Sequence, residues 1–129
     1  MSDLLKYMEK KDYATGQVLV REGDPPDNMY LLESGQVSVR LRTGDRRTIR
    51  LRTMNAGTTV GEIGLYLNKQ RSASVIVEKP TTVYQLSQSA LTAMEENHPE
   101  VAFAFHKLMV VIQAERLTSL NQLLLALRR

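Results

Sequence analysis

Gly61-Glu62-Ile63-Gly64-Leu65, followed after a short spacer by Arg71-Ser72-Ala73-Ser74, is the stretch on which the reading of this chain turns. Two glycines around a glutamate let backbone N–H groups come close to a ligand, because neither carries a Cβ to hold it off. Arg71 stands nine positions after Glu62 and supplies a planar, permanently charged fork that suits a phosphate. Placed straight after the apolar turn at 58–60, these residues describe an anion cradle, with the Glu62 carboxylate left to accept hydrogen bonds from sugar hydroxyls. The same chemistry also fits a plain Glu62–Arg71 salt bridge closing a loop.

Outward from the cradle, from Gln17 to Leu86, the pattern is of short strands between turns. The predicted strands are 18–20, 29–32, 37–41, 48–51, 74–77 and 82–86. Gly16, Gly23-Asp24-Pro25-Pro26-Asp27, Ser34-Gly35, Thr43-Gly44-Asp45, Asn55-Ala56-Gly57 and Lys79-Pro80 punctuate them. Strands of this length and spacing predict a closed or nearly closed antiparallel β-roll, jelly-roll-like, in a mainly β chain with flanking helices.

An N-terminal helix is predicted from Leu4 to Glu9, with Ser2 or Asp3 as its cap. A second begins at Ser87 and ends before His98-Pro99, since the residue preceding a proline is pushed out of the helical region. Pro99 suits the first position of a last helix running to the chain end. In it Val101, Phe105, Leu108 and Ile112 form one apolar stripe, and Leu117, Leu120, Leu124 and Leu127 form another, rotated stripe. One face is expected to cover the roll and the other to seek a different partner.

With 129 residues and 43% hydrophobic content the chain suffices for one domain, 1–129, with the roll over about 14–87 and C-terminal helices over about 88–128. The absence of cysteine removes thiolate nucleophiles, redox pairs and Cys-ligated zinc. His98 and His106 lack carboxylate or cysteine partners at ligand spacing, so no metal site is expected. The net charge of +3 concentrates in Arg40-Leu41-Arg42 and Arg46-Arg47-Thr48-Ile49-Arg50-Leu51-Arg52, where basic and apolar residues alternate. That period describes a strand with a wet face, and no aromatic interleaves to stack bases, so nucleic acid is not an expected partner. Neither a signal-peptide core nor an apolar run of spanning length is present in the sequence, which predicts a soluble, cytoplasmic chain with no direct membrane insertion.

These residues carry a resemblance over essentially the whole chain. Gly23-Asp24, Met29-Tyr30, Ser34-Gly35-Gln36-Val37, Gly57 and above all the segment Gly61 to Ser74 resemble a cyclic-nucleotide-binding domain, the regulatory module of cyclic-AMP-dependent kinases, catabolite-activator-type regulators and gated ion channels. The resemblance implies a short phosphate-cassette helix. It makes Arg71 the bidentate partner of a cyclic phosphate and Glu62 the acceptor for the ribose 2′-hydroxyl. Backbone N–H groups around Gly61, Ile63, Gly64, Ser72 and Ala73 would complete the cradle, with Gly64 standing where the family commonly has alanine. Members favouring guanine tend to carry threonine after the arginine, so Ser72 leans toward cyclic AMP over cyclic GMP.

In the family the C-terminal helix closes over the base, and here it offers leucines rather than an aromatic ring beyond Phe105. The implied output is regulation of a fused or associated effector, with a homodimer through the C-terminal helix as one use of the leucine face. The cassette with Ala114-Glu115-Arg116-Leu117 is also similar to the cytoplasmic cyclic-nucleotide-like domain of some sulfate-permease-type anion transporters, which implies a membrane transporter as effector. The alternative is a roll that keeps the shape as an assembly module without ligand. Catalysis on a cupin-like roll is not expected, because both histidines fall in the helical region. A DNA-binding regulator would need a recognition helix, and none follows Arg129 in the sequence.

Overall fold

A computed structural model describes residues 2–45 and 47–128, apart from the side chain of Ser2. The order of elements is α1 (Ser2–Leu5), β1 (Glu9–Tyr13), β2 (Val18–Val20), β3 (Asn28–Arg42), β4 (Thr48–Asn55), β5 (Thr59–Val60), α2 (Glu62–Leu67), β6 (Ser74–Ser87), α3 (Gln88–Asn97) and α4 (Pro99–Leu127). Among the described residues the strands form one six-stranded antiparallel sheet, ordered β1-β6-β3-β4, with β2 on β6 and β5 on β3. The sheet does not close on itself. This is the mainly β roll with flanking helices that the sequence predicts, in its open rather than its closed form.

Its spine is the pair β3 and β6, in register from Asn28 opposite Ser87 to Arg40 opposite Ser74. Each was expected as two short strands broken at Ser34-Gly35 and Lys79-Pro80. Instead both run through, because these residues meet across the pair and the chain absorbs them as register shifts around Ser34 and Gln36. Gly35 takes φ +101°, and a Cβ there would lie 2.6 Å from the Pro80 carbonyl oxygen and from Thr81 Cα. Only glycine fits that crossing.

β1 was not foreseen, and the predicted N-terminal helix stops at Leu5 rather than Glu9. Backbone pairing to β6, from Glu9 opposite Gln85 to Tyr13 opposite Thr81, takes these residues into the sheet. Val60, expected in a turn, pairs with Tyr30 and so fixes the chain just ahead of the cradle.

The core inside the sheet is Leu19, Val20, Tyr30, Leu32, Val37, Val60, Val75, Val77 and Val83. Each such aliphatic side chain removed from water contributes roughly 1.5–3 kcal/mol. Val75 and Val77 are buried while Ile76 and Glu78 between and beyond them are only half-buried, the alternation of a strand with one dry face. On the outer face Glu78 Oε1 accepts from Ser38 Oγ at 2.5 Å and from the guanidinium groups of Arg40 at 2.6 Å and Arg50 at 3.1 Å. β4 was expected to have one wet face, but it is exposed over almost its whole length, Ile49 and Leu51 included, because it ends the sheet order and pairs only with β3. Arg46, assigned to the same strand region, lies outside the described residues.

The chain divides after Leu91 into two compact units. Ser87 Oγ accepts the Ala90 N–H at 3.0 Å and caps α3. In the second unit His106 Nε2 stands 3.1 Å from Glu95 Oε2 and ties α4 to α3. The buried row of α4 is Ala102, Phe105 and Met109, with Leu108 of the predicted stripe 41% exposed. The row is therefore rotated from the predicted one, because Met109 and the small Ala102 take the buried positions. Leu117, Leu120, Leu124 and Leu127 are all exposed, as are Leu123 and Leu125 beside them. Among the described residues no helix is long and apolar enough to cross a membrane.

Candidate functional site

The segment between β5 and β6 is shaped by glycine conformation before any side chain acts. Gly61 adopts φ 82° and ψ 5°, a left-handed conformation that turns the chain from β5 into α2. Glu62 follows as the first helical residue and is buried, while Ile63 is exposed. Asn68, also left-handed at φ 53°, ends the helix, and the Lys69 N–H donates to the Gly64 carbonyl at 3.3 Å.

The loop that returns to β6 is clipped to the Gly23 turn by two backbone bonds. The Gly23 N–H donates to the Arg71 carbonyl at 2.8 Å, and the Arg71 N–H donates to the Asp24 carbonyl at 3.1 Å. Ser74 Oγ accepts the Glu22 N–H at 2.9 Å and extends the clip by one more residue. The Gly23-Asp24 signal and the cassette, far apart in sequence, are thus one structural unit.

The Arg71 side chain turns inward from this clip. Its Nη1 donates to the Gly61 carbonyl at 2.8 Å, and its Nη2 donates to the Asn28 carbonyl. Burial pulls this guanidinium below its ordinary range, while Tyr30, Asp27, Glu62 and Asp24 hold it up, so it remains charged in neutral solution. Tyr30 below it is pushed up by burial, and by Tyr13 and Asp24, against the pull of Arg71. Beside the fork is a hollow of about 170 Å³ lined by Val20, Asp24, Asp27, Asn28, Tyr30 and Arg71. That is below the roughly 300 Å³ at which pockets for whole small molecules begin, and of the cassette only Arg71 reaches it, beside the carboxylates of Asp24 and Asp27.

The structure brings Gly61, Glu62, Gly64 and Arg71 together. Ser72, exposed, and Ala73, half-buried, carry the loop from Arg71 into β6. The simple reading of a Glu62–Arg71 salt bridge is incomplete, because the fork rests on two carbonyl oxygens and Glu62 acts on it through its charge. Asp24, Asp27, Asn28 and Tyr30 are the site residues that sequence reasoning missed. Asn28 is 43 positions from Arg71 and contributes a backbone oxygen, so no side-chain pattern marks it. Among the described residues no group of three or more His, Asp or Glu side chains is placed to hold a metal ion, and His106 is engaged with Glu95.

Comparison with known proteins adds to this geometry. The sequence pattern described as "Cyclic nucleotide-binding domain" matches residues 10–98. Glutaminase 2 of Bradyrhizobium diazoefficiens is 30% identical over 118 residues, 92% of this chain and 18% of that protein. The cAMP-dependent protein kinase regulatory subunit of Blastocladiella emersonii is 25% identical over 97 residues, 75% of this chain and 24% of that one. The crystal structure of a cyclic nucleotide-binding domain from Methylobacillus flagellatus superposes with a TM-score of 0.81 at 27% identity, over 95% of this chain and 69% of the other. The chain thus spans less than a quarter of the length of these two curated relatives.

Proposed function

Because the chain belongs to the cyclic nucleotide-binding domain family, we propose that it is a regulatory sensor module that binds a cyclic mononucleotide, cyclic AMP in preference to cyclic GMP, and passes its occupancy to a fused or associated effector. In this reading Arg71 pairs with the cyclic phosphate and Glu62 accepts the ribose 2′-hydroxyl. Gly61, Ile63, Gly64, Ser72 and Ala73 bring their backbone to the phosphate, and Ser72 favours adenine.

The observation that carries the proposal is the closure of the cassette on itself, with a charged fork 2.8 Å from the Gly61 carbonyl and a buried Glu62 one residue on. A guanidinium gains most from a phosphate where both are partly removed from water. Output is assigned to α4, whose leucines are exposed, and the sulfate-permease resemblance makes an anion transporter one effector of interest. The relatives include a glutaminase and a kinase regulatory subunit, which supports a module joined to different effectors.

Calorimetric titration with cyclic AMP, cyclic GMP and a cyclic dinucleotide tests the proposal. Saturable heat with cyclic AMP, weaker with cyclic GMP, is expected. One observation favours a second reading, an assembly module without ligand: two N–H groups of the Arg71 fork already rest on the chain's own carbonyls, with Asp24 and Asp27 close by. No heat with any of the three nucleotides would overturn the nucleotide proposal and leave this second reading.

A further inference from the structure

Gly64 stands where a side chain would meet the Arg71 fork. A Cβ built on it lies 2.8 Å from Arg71 Nη1, closer than real Cβ contacts come. The other neighbours are 3.1 Å away at Pro26 Cβ and 3.3 Å away at the Lys69 carbonyl, a squeeze of a few tenths of an ångström. Gly64, unlike Gly61, is not in a left-handed conformation, so its backbone suits alanine without strain. The missing methyl group is therefore used as space, and the group that occupies that space is the guanidinium.

We infer that Gly64 is a positioning residue that lets Arg71 dock inward on the Gly61 and Asn28 carbonyls, so that a phosphate meeting the fork end-on, through Nη1 and Nη2, competes with those oxygens while three of the five N–H groups stay uncommitted to them. The docked state has two consequences. An anion that takes the Nη1 and Nη2 end exchanges up to two hydrogen bonds to backbone oxygens for its own, which lowers the net gain from binding. Docking also gives the fork a defined resting place instead of a solvated ensemble, so the site is ordered before ligand arrives. Alanine at 64 would push the flexible end of Arg71 off Gly61 and leave it presented to the anion. For its affinity arm this inference rests on the nucleotide reading above; for its positioning arm it does not.

The test uses the full chain in two arms. In the first, nitrogen-15 NMR of the ligand-free protein follows the arginine side-chain signals, with Arg71→Lys identifying those of Arg71. A docked guanidinium gives resolved, slowly exchanging Nη signals in the parent, and Gly64→Ala collapses them into the solvent-averaged envelope. Absence of slow Nη signals in the parent, or their persistence in a folded Gly64→Ala, overturns the inference. In the second arm cyclic AMP is titrated into the parent, Gly64→Ala, Arg71→Ala and the double variant.

Gly64→Ala should bind about tenfold more tightly, the equivalent of releasing one to two ordinary hydrogen bonds. That gain should vanish in the Arg71→Ala background. A gain that survives without Arg71 comes from the better helix propensity of alanine in α2 and overturns the inference. If the parent binds no cyclic AMP while the first arm gives the expected signals, the nucleotide reading fails and the positioning role of Gly64 stands.

Discussion

Arg71 donates to the carbonyl of Gly61 at 2.8 Å, ten residues back along the chain, and so closes the cassette with its own functional side chain. Under the proposed function the same group serves both structure and recognition. Removing it should cost both, in amounts that separate experiments can read.

Arg71→Ala should weaken cyclic AMP binding by on the order of 2–4 kcal/mol, since the phosphate would be left without its charged partner. It should also lower the stability of the ligand-free fold by about 1 kcal/mol through the loss of the bonds to Gly61 and Asn28. Arg71→Lys should not restore binding, because an ammonium group lacks the fork. Calorimetry paired with urea denaturation measures the two effects, and parent-like affinity in both variants would remove Arg71 from the site.

Glu62 is only 3% exposed at the first position of α2. A buried carboxylate that accepts a ribose hydroxyl loses that donor when the ligand is the 2′-deoxy analogue. The parent should therefore prefer cyclic AMP over 2′-deoxy cyclic AMP by at least about tenfold, and Glu62→Gln should narrow the gap. Equal affinities for the ribo and deoxy ligands in the parent would make Glu62 a structural residue.

Gly35 offers a prediction about the fold alone. A Cβ there would lie 2.3 Å from Thr81 Oγ1 and 2.6 Å from both the Pro80 carbonyl oxygen and Thr81 Cα, at φ +101°. Backbone atoms in the middle of a sheet do not step aside as a side-chain tip does. Gly35→Ala should destabilise by about 3 kcal/mol or more, combining overpacking with left-handed strain. A thermal melt within two degrees of the parent would show that β3 and β6 can separate at this crossing.

The Glu78 carboxylate is held below the usual carboxylate range by the hydrogen bond from Ser38 first and by Arg40 next, with Arg50 adding its charge. A folded-state value below the unfolded one means that the unfolded chain binds more protons in acid. The contribution of Glu78 is thus fully present above the ordinary carboxylate range and is lost as pH falls through the depressed folded value. Denaturation midpoints should fall more steeply with acid in the parent than in Glu78→Gln. Parallel pH profiles for the two proteins would refute the assignment.

The cassette and the proline that opens α4 were legible because each depends on local chemistry. Glycines at 61 and 64 with an arginine at 71 impose close backbone approach wherever they occur, and Pro99 stops one helix and starts the next without outside help. β1 was not legible, since Glu9-Lys10-Lys11-Asp12-Tyr13 carries no alternating apolar pattern. Its place is set by pairing with β6, by Lys10 near Glu33 at 3.5 Å and by the Thr82 hydroxyl donating to Asp12 at 2.6 Å.

Ser34-Gly35 and Lys79-Pro80 misled for a related reason. Each alone is a turn signal, and only their meeting across the sheet lets both strands continue. At the site, the sequence pointed to Gly61, Glu62, Gly64 and Arg71, which the fold brings together, but not to the carbonyls on which Arg71 rests, because a backbone oxygen has no residue-type signature.

β4 ends the sheet order, and the backbone edge it turns away from β3 is a template on which another strand can grow. Ile49 and Leu51 on this strand are about half exposed, which would make such growth adhesive. Arg50 and Arg52 alternate with them, so a second copy approaching edge to edge would bring like charges face to face at every other residue. Like charge on Arg50 and Arg52 is unfavourable to such pairing, and at Arg50 it is partly offset by Glu78.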